Sequence, residues 1–330
     1  MKNKVTNLKA QSYLPAEASV QAGKLKPSSE IRKDYFLNRF VLITPSRAMR
    51  PRDIEEKTVV TKDADCQFCP ESIDPKKIID KIGSGKKWQT IALKNIFPAV
   101  TLDNPRACGT QEVIVDTPKH DINLGELSVS EIENVLKMFA RRTAVLAKNK
   151  NLEYILCFKN QGSKAGASIL HAHSQIFATA ITPADVEEEN FCAQLYEKEN
   201  HVCPYCQIIK QELKSPRKIW ADKNVTAFAP YASQFHYEAW VFPRRHVDNI
   251  SLLKSIEIHS LALALKKILS KLDRQKISYN FFLHNLISEK NQHFYIKIQP
   301  RDSIWAGVEL GSGLVINSVP PEEAAGFYKK

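Results

Sequence analysis

No stretch of this 330-residue chain approaches the ~20 consecutive apolar residues that a helix needs to cross a bilayer, so a helical membrane protein is excluded. The opening, MKNKVTNLKAQSYLPAEASV, carries lysines but lacks the apolar core of a secretory signal. Residues 1–28 are expected to be a mobile polar leader. Also missing is any block of lysines interleaved with aromatics. The net charge is +11, yet Lys24, Lys57, Lys86, Lys148, Lys210, Lys266 and Lys329 are dispersed. That speaks against nucleic acid as a partner and suits small anions such as nucleotides and sugar phosphates. An even set of cysteines is lacking too. There are seven, and four fall in two Cys-x-x-Cys pairs, which points to metal ligation in a cytoplasmic chain rather than to disulfides. Cys108, Cys157 and Cys192 are expected to be small buried residues.

What is present is one order of parts, met twice. Cys66/Cys69 is followed by EVIVDTPKH at 112–120, and Cys203/Cys206 by EAWVFPRRH at 238–246. An amphipathic helix follows each. Ile132, Val135, Leu136, Phe139 and Leu146 share one face, with Ser128 and Glu131 as a capping box; Ile258, Leu261, Leu265, Ile268 and Leu272 repeat the pattern. Next come the strands YILCF (154–158) and YNFFL (279–283), then HAHSQIFA (171–178) and HFYIKIQP (293–300). Matched order over so long a span indicates an internal duplication. The expected domains are 29–196 and 197–330, with the boundary in the charged stretch Tyr196–Asn200. The expected fold class is α+β, with two antiparallel half-barrel sheets and flanking helices, one sheet per repeat.

Each half offers two thiolates and two imidazoles. These are Cys66, Cys69, His120 and His171 in the first, and Cys203, Cys206, His246 and His293 in the second. That donor set suits tetrahedral Zn2+, one ion in the N-terminal half and a second in the C-terminal half. The halves differ where His173 and Gln175 stand opposite Tyr295 and Lys297. A strand places alternate residues on one face, so His171, His173 and Gln175 point the same way. Before them runs Asn160-Gln161-Gly162-Ser163-Lys164-Ala165-Gly166-Ala167-Ser168, whose glycines and donors suit a phosphate cradle. With His171 held by zinc, His173 is left as a nucleophile for phosphorus, and Gln175 can donate to a phosphoryl oxygen.

With these motifs in view, the chain resembles the galactose-1-phosphate uridylyltransferases and their relatives the ADP-glucose phosphorylases, within the histidine-triad superfamily. The resemblance runs from about residue 31 to 328. It rests on RKDYFLNRFVLITPSRAMRPRD (32–53), CQFCP, KNIFPA (94–99), EVIVDTPKH, FKNQGSKAGASILHAHSQ and AGVELGSGLVINSVPPEEAA (306–325). It implies a ping-pong transfer in which His173 takes the nucleotidyl group from a nucleotide sugar and passes it to a sugar 1-phosphate or to phosphate. It further implies Arg47, Arg50, Asn160, Gly166 and Ser168 on phosphates, Asn95 on the nucleotide and Glu309 on a sugar hydroxyl. A homodimer is implied, in which Glu309 can serve the partner's site. The chain departs from the uridylyltransferase pattern in three places. Ser303 and Val308 stand in the segment where a lysine and a tyrosine are common, Ala172 replaces a usual proline, and the second Cys/His set looks more like the phosphorylase type.

The leading expectation is therefore a UDP-glucose:hexose-1-phosphate uridylyltransferase, with ADP-glucose phosphorylase as the alternative. A histidine-triad nucleotide hydrolase is a further rival, against which Gln175 weighs. A non-catalytic zinc-bearing RNA-binding protein is the last; it leaves His173 and Gln175 in one half unexplained.

Overall fold

The two amphipathic helices fix the centre of the molecule. In α1 (Val129–Leu146) the residues Ile132, Val135, Leu136, Phe139 and Leu146 are buried, and in α4 (Ser255–Arg274) so are Ile258, Leu261, Leu265, Ile268 and Leu272. The two helices pack on each other and share one apolar core. The α1 N-terminus carries the expected capping box: the Glu131 amide donates to Ser128 Oγ, and the Ser128 amide donates to the Glu131 carboxylate. The structure, a computed structural model, describes residues 30–37, 39–43, 66–84, 87–287 and 292–330. Arg47, Arg50 and the 1–28 leader lie outside the described residues.

Behind the helices runs a ten-stranded sheet. In the first half its strands are β3 (Ile78–Ser84), β4 (Lys87–Lys94), β5 (Gly109–Val115), β6 (Tyr154–Gln161) and β7 (His173–Thr179). In the second they are β8 (Lys218–Ala221), β9 (Val225–Phe228), β10 (Ala239–Pro243), β11 (Tyr279–His284) and β12 (Tyr295–Pro300). The spatial order is β3-β4-β5-β7-β6-β11-β12-β10-β9-β8, and every neighbouring pair is antiparallel. Read outward from the middle, both halves have the same order.

One sheet per repeat was expected; the structure corrects this. β6 and β11 pair directly, Phe158 opposite Phe282 and Gln161 opposite Tyr279, so the halves are fused into one sheet. The physical reason is that β6 and β11 would otherwise each present an unpaired edge. A second correction concerns the matched segments. Glu112 accepts from Arg142 of α1 at 2.6 and 2.8 Å, on the helix-facing side. Glu238 instead accepts from the Trp240 indole at 2.8 Å and lines a cleft on the opposite side. Their equal distance from a histidine hides a one-residue slip, which reverses the face a strand residue occupies.

A small sheet joins the ends of the chain. β1 (Glu30–Lys33) and β2 (Phe40–Ile43) form an antiparallel pair, and β13 (Val315–Asn317) adds to β2 in parallel. Four further helices complete the described residues: α2 (Ala184–Asn200), α3 (Pro204–Glu212), α5 (Gly307–Ser312) and α6 (Pro321–Lys329). Residues 196–200 are the last turn of α2. Among the described residues no helix is long and apolar enough to cross a membrane. Cys157 is buried as expected, and burial pushes its thiol up to about 12; Cys108 and Cys192 are only partly buried.

The turn at Leu124–Glu126 lies against the C-terminal end of α4. A Cβ on Gly125 would sit 2.3 Å from Asp273 Oδ2 and 2.5 Å from the Leu269 backbone, so only glycine permits this approach. The contact buries Asp273, and its pKa is raised to about 6 by that burial. A raised carboxyl contributes most stability below its unfolded value, and the contribution is lost as pH rises through about 6. Asp273→Asn removes the penalty on the charged form. Its stability gain should grow by about 2 kcal/mol between pH 4.5 and pH 8 in urea unfolding. An equal gain at both pH values would refute this.

Candidate active site and metal centres

The turn after Cys66 and the segments following β5 and preceding β7 converge. The ligand atoms of Cys66, Cys69, His120 and His171 all lie within 4.8 Å of one another. His171 Nδ1 is 3.5 Å from Cys66 Sγ and 3.8 Å from Cys69 Sγ, and His120 Nδ1 is 3.3 Å from Cys69 Sγ. Zinc with S and N ligands at 2.3 and 2.0–2.1 Å in a tetrahedron requires N···S separations of about 3.5 Å, so the four residues fit such an ion. His171 Nε2 donates to the Thr117 carbonyl at 2.8 Å, which fixes the tautomer with Nδ1 free to ligate. Burial lowers the His171 pKa, keeping the ring neutral as ligation requires.

The second half builds a matching centre. Cys203 and Cys206 sit at the N-terminus of α3, and Cys206 Sγ is 3.6 Å from His246 Nδ1 and 3.7 Å from His293 Nδ1. His293 Nε2 donates to the Pro243 carbonyl at 2.8 Å, the counterpart of the His171 contact. Its four ligand atoms satisfy the same 4.8 Å bound.

His173 begins β7 and lines a cleft of about 590 Å³ together with Asn95, Ser168 and Gln175. Its Nδ1 donates to the His171 carbonyl at 2.8 Å, so Nε2 is the ring nitrogen left to carry a lone pair. Burial, then the charge of Lys159, lower its pKa, which keeps the imidazole neutral at pH 7. The Phe68 ring lies 5.1 Å from the His173 ring, and Ile96 and Phe97 stand exposed at the rim. Asn95 Oδ1 accepts from the Phe97 amide, leaving its NH2 group as donor.

The remaining expected residues are placed differently. Asn160 lines a neighbouring cleft of about 530 Å³, where Asn280 donates to it at 2.8 Å. Gly166 holds φ +82° in the turn before Ser168, with nothing within 4 Å of where a Cβ would stand, so conformation and not space calls for glycine. Glu309 lines neither cleft; its carboxylate accepts from the Ala306 amide at the start of α5. The neighbouring cleft is the second half's counterpart of the first, with Lys297 where Gln175 stands. Buried there, Glu189 accepts from Tyr205 and Tyr295 and pairs with His284 and Lys297. Burial opposes its ionisation, but His284 and Lys297 prevail and hold it below the usual carboxylate range.

Sequence reasoning missed Phe68, Phe97, Glu189 and the pair Lys159–Asp116. Phe68 had a signal, as the aromatic inside CQFCP. Phe97 and Asp116 likewise stand inside KNIFPA and EVIVDTPKH, whereas Lys159 and Glu189 had no signal, because a lysine in a strand or a glutamate in a polar helix reads as solvated.

Comparison with known proteins finds similar chains and folds. The family model for galactose-1-phosphate uridyl transferase, N-terminal domain, matches residues 84–183. The ADP-glucose phosphorylase of Arabidopsis thaliana is 28% identical over 326 residues, covering 90% of this chain and 92% of that protein. The galactose-1-phosphate uridylyltransferase of Thermotoga maritima is 26% identical over 323 residues, covering 90% and 96%. A crystal structure of the Arabidopsis thaliana phosphorylase with bound ADP-glucose superposes with a TM-score of 0.81 at 26% identity, over 92% of this chain and 99% of that one. A uridylyltransferase structure gives a TM-score of 0.73 at 27% identity, over 92% and 97%. The chain is thus similar over about nine-tenths of its length both to a galactose-1-phosphate uridylyltransferase and to an ADP-glucose phosphorylase, and in fold to solved structures of both kinds.

Proposed function

We propose that the protein is a nucleotidyltransferase of the UDP-glucose:hexose-1-phosphate (galactose-1-phosphate) uridylyltransferase type, working through a nucleotidyl-histidine on His173. The observation that carries this is the His173 ring, tied at Nδ1 to the His171 carbonyl and facing a cleft with Asn95, Ser168 and Gln175. Nε2 forms a bond to the α-phosphorus while the bond from phosphorus to the sugar 1-phosphate oxygen breaks, its electron pair leaving with that oxygen. An acceptor phosphate then attacks the same phosphorus and releases the imidazole. The chain's task is to position the reactants and to stabilise charge. Gln175 and Ser168 supply donors to the phosphoryl oxygens, Asn160 and Gly166 shape the turn beside them, and Arg47 and Arg50 complete the phosphate contacts. Ile96 and Phe97 offer an apolar rim for a base, and Asn95 a donor to the nucleotide.

Zn2+ in each Cys/His set would hold the segments in register; its chemistry is structural, since all four positions are protein ligands. The duplicated histidine-triad-like fold, with a domain for each of 29–196 and 197–330, belongs to the same proposal, as does a cytoplasmic location that keeps the thiols reduced. So does a homodimer: Ile304, Val308 and Leu310 are exposed around Glu309, an apolar setting suited to a partner chain carrying a sugar contact.

ADP-glucose phosphorylase is a second reading, favoured by the complete second Cys/His set and by the 0.81 superposition. Single-turnover labelling separates the two. The protein is mixed with UDP-glucose or ADP-glucose carrying α-phosphate label. Label from UDP-glucose, released by galactose 1-phosphate, is expected for the uridylyltransferase. Label from ADP-glucose alone, released by phosphate, would assign the phosphorylase. No label from either would end the nucleotidyl-histidine reading.

A further inference from the structure

On the helix-facing side of β6, directly behind the nucleophile, lies a buried ion pair. Lys159 and Asp116 are each 1% exposed, and Lys159 Nζ is 2.9 Å from Asp116 Oδ2. Ile155 and Cys157, on the same face of β6, are part of the main core, and the buried Asp273 and Tyr279 lie near enough to interact with the two charges. Removing two charges from water here costs several kcal/mol per ion, and hydrophobic residues of similar volume would often serve stability as well or better. A reason other than stability is therefore needed.

The contacts supply one. Lys159 Nζ also donates to the His173 carbonyl at 2.9 Å. The Asp116 amide donates to the Ala172 carbonyl at 3.0 Å. With the His173 ring donating to the His171 carbonyl, three successive carbonyls around the nucleophile each hold a donor: the ring itself, the backbone amide at position 116, and the Lys159 ammonium, which the Asp116 carboxylate holds in place.

The other half is a control built into the fold. Phe158 stands opposite Gln175 and Phe282 opposite Lys297, so Leu283 is the counterpart of Lys159. Val113 stands opposite Gln175 and Trp240 opposite Lys297, so Pro243 is the counterpart of Asp116. Where Tyr295 replaces the nucleophile, the ion pair is replaced by two residues without charge.

We propose that Lys159 and Asp116 are a positioning pair for the nucleophile, the Asp116 carboxylate holding the Lys159 ammonium on the His173 carbonyl so that the imidazole meets the α-phosphorus in one orientation. This rests on the nucleotidyl-histidine reading. Misplacement of a reacting group by about 1 Å costs on the order of 100-fold in rate. The pair should thus act on the rate of bond formation and leave nucleotide-sugar affinity nearly unchanged.

The test compares wild type, Lys159→Met and the double variant Lys159→Met/Asp116→Leu in single-turnover labelling, with thermal unfolding and metal content measured beside it. The label is whichever of UDP-glucose or ADP-glucose marks the wild type. Lys159→Met leaves Asp116 buried without its cation and should lower both stability and the labelling rate at saturation. The double variant should recover stability, yet label about 100-fold more slowly than wild type, with half-saturation within about 3-fold. A stable double variant that labels at the wild-type rate would overturn the proposal, since the pair would then be structural only. If the double variant does not fold, Lys159→Gln decides. Its amide can still donate to the His173 carbonyl, so it should label about 10-fold faster than Lys159→Met, and equal rates would overturn the proposal. Wild type without label would end the underlying reading, an outcome distinct from either.

Discussion

Glycine at position 173 is expected to abolish covalent labelling and to reduce turnover by roughly 10⁴-fold or more, the scale on which enzymes lose rate when the nucleophile is removed. Beside it in the cleft, Ser168 is a weaker nucleophile and Gln175 is none. The substitution removes the Nδ1 donor to the His171 carbonyl but leaves His171 Nε2 on the Thr117 carbonyl and Nδ1 toward Cys66. Metal content should therefore match wild type. This separates His173→Gly from variants that fail by losing the metal. Added imidazole occupies the vacated space and should restore measurable transfer. Wild-type turnover by His173→Gly would remove His173 from the mechanism altogether.

The second large effect is expected at Cys66. Cys66→Ala leaves three ligands, and a structural zinc site in a small domain can contribute of the order of 10 kcal/mol to folding. Metal analysis by mass spectrometry should find about one ion fewer per chain, and thermal unfolding should begin many degrees lower. Labelling should fall as well, because His171 carries the carbonyl that orients His173. Cys203→Ala is the counterpart: it should also remove about one ion, while nucleophile geometry, which depends on the first centre, is affected less. An unchanged metal count in Cys66→Ala would sink this ligand set.

Much of this was legible in the sequence wherever the signal is local. The Ser128/Glu131 capping box, the apolar faces of α1 and α4 and the alternation of His171, His173 and Gln175 each depend on residues a few positions apart. The two Cys/His clusters were legible for another reason: the same donor order occurs twice. Illegible were the features set by distant pairing. Nothing in YILCF or YNFFL says that the two strands will adjoin, and the equal spacing in EVIVDTPKH and EAWVFPRRH conceals that Glu112 and Glu238 face opposite sides. Lys159 was illegible because a buried lysine is recognised only by its partner, and Asp116 lies 43 positions away. Glu189 likewise depends on Tyr295 and Lys297, more than 100 positions further on.

The small sheet has a consequence for how the molecule is made. Residues 41–43 pair with 315–317, so β2 waits for a strand synthesised about 270 residues later. Until then β2 keeps an open edge beside exposed Phe40, a situation that invites pairing with another chain. Synthesis of β13 is thus the step that closes the small sheet. A chain stopped after Gly313 should accumulate in aggregates during synthesis even though both Cys/His clusters and the ten-stranded sheet are complete within it.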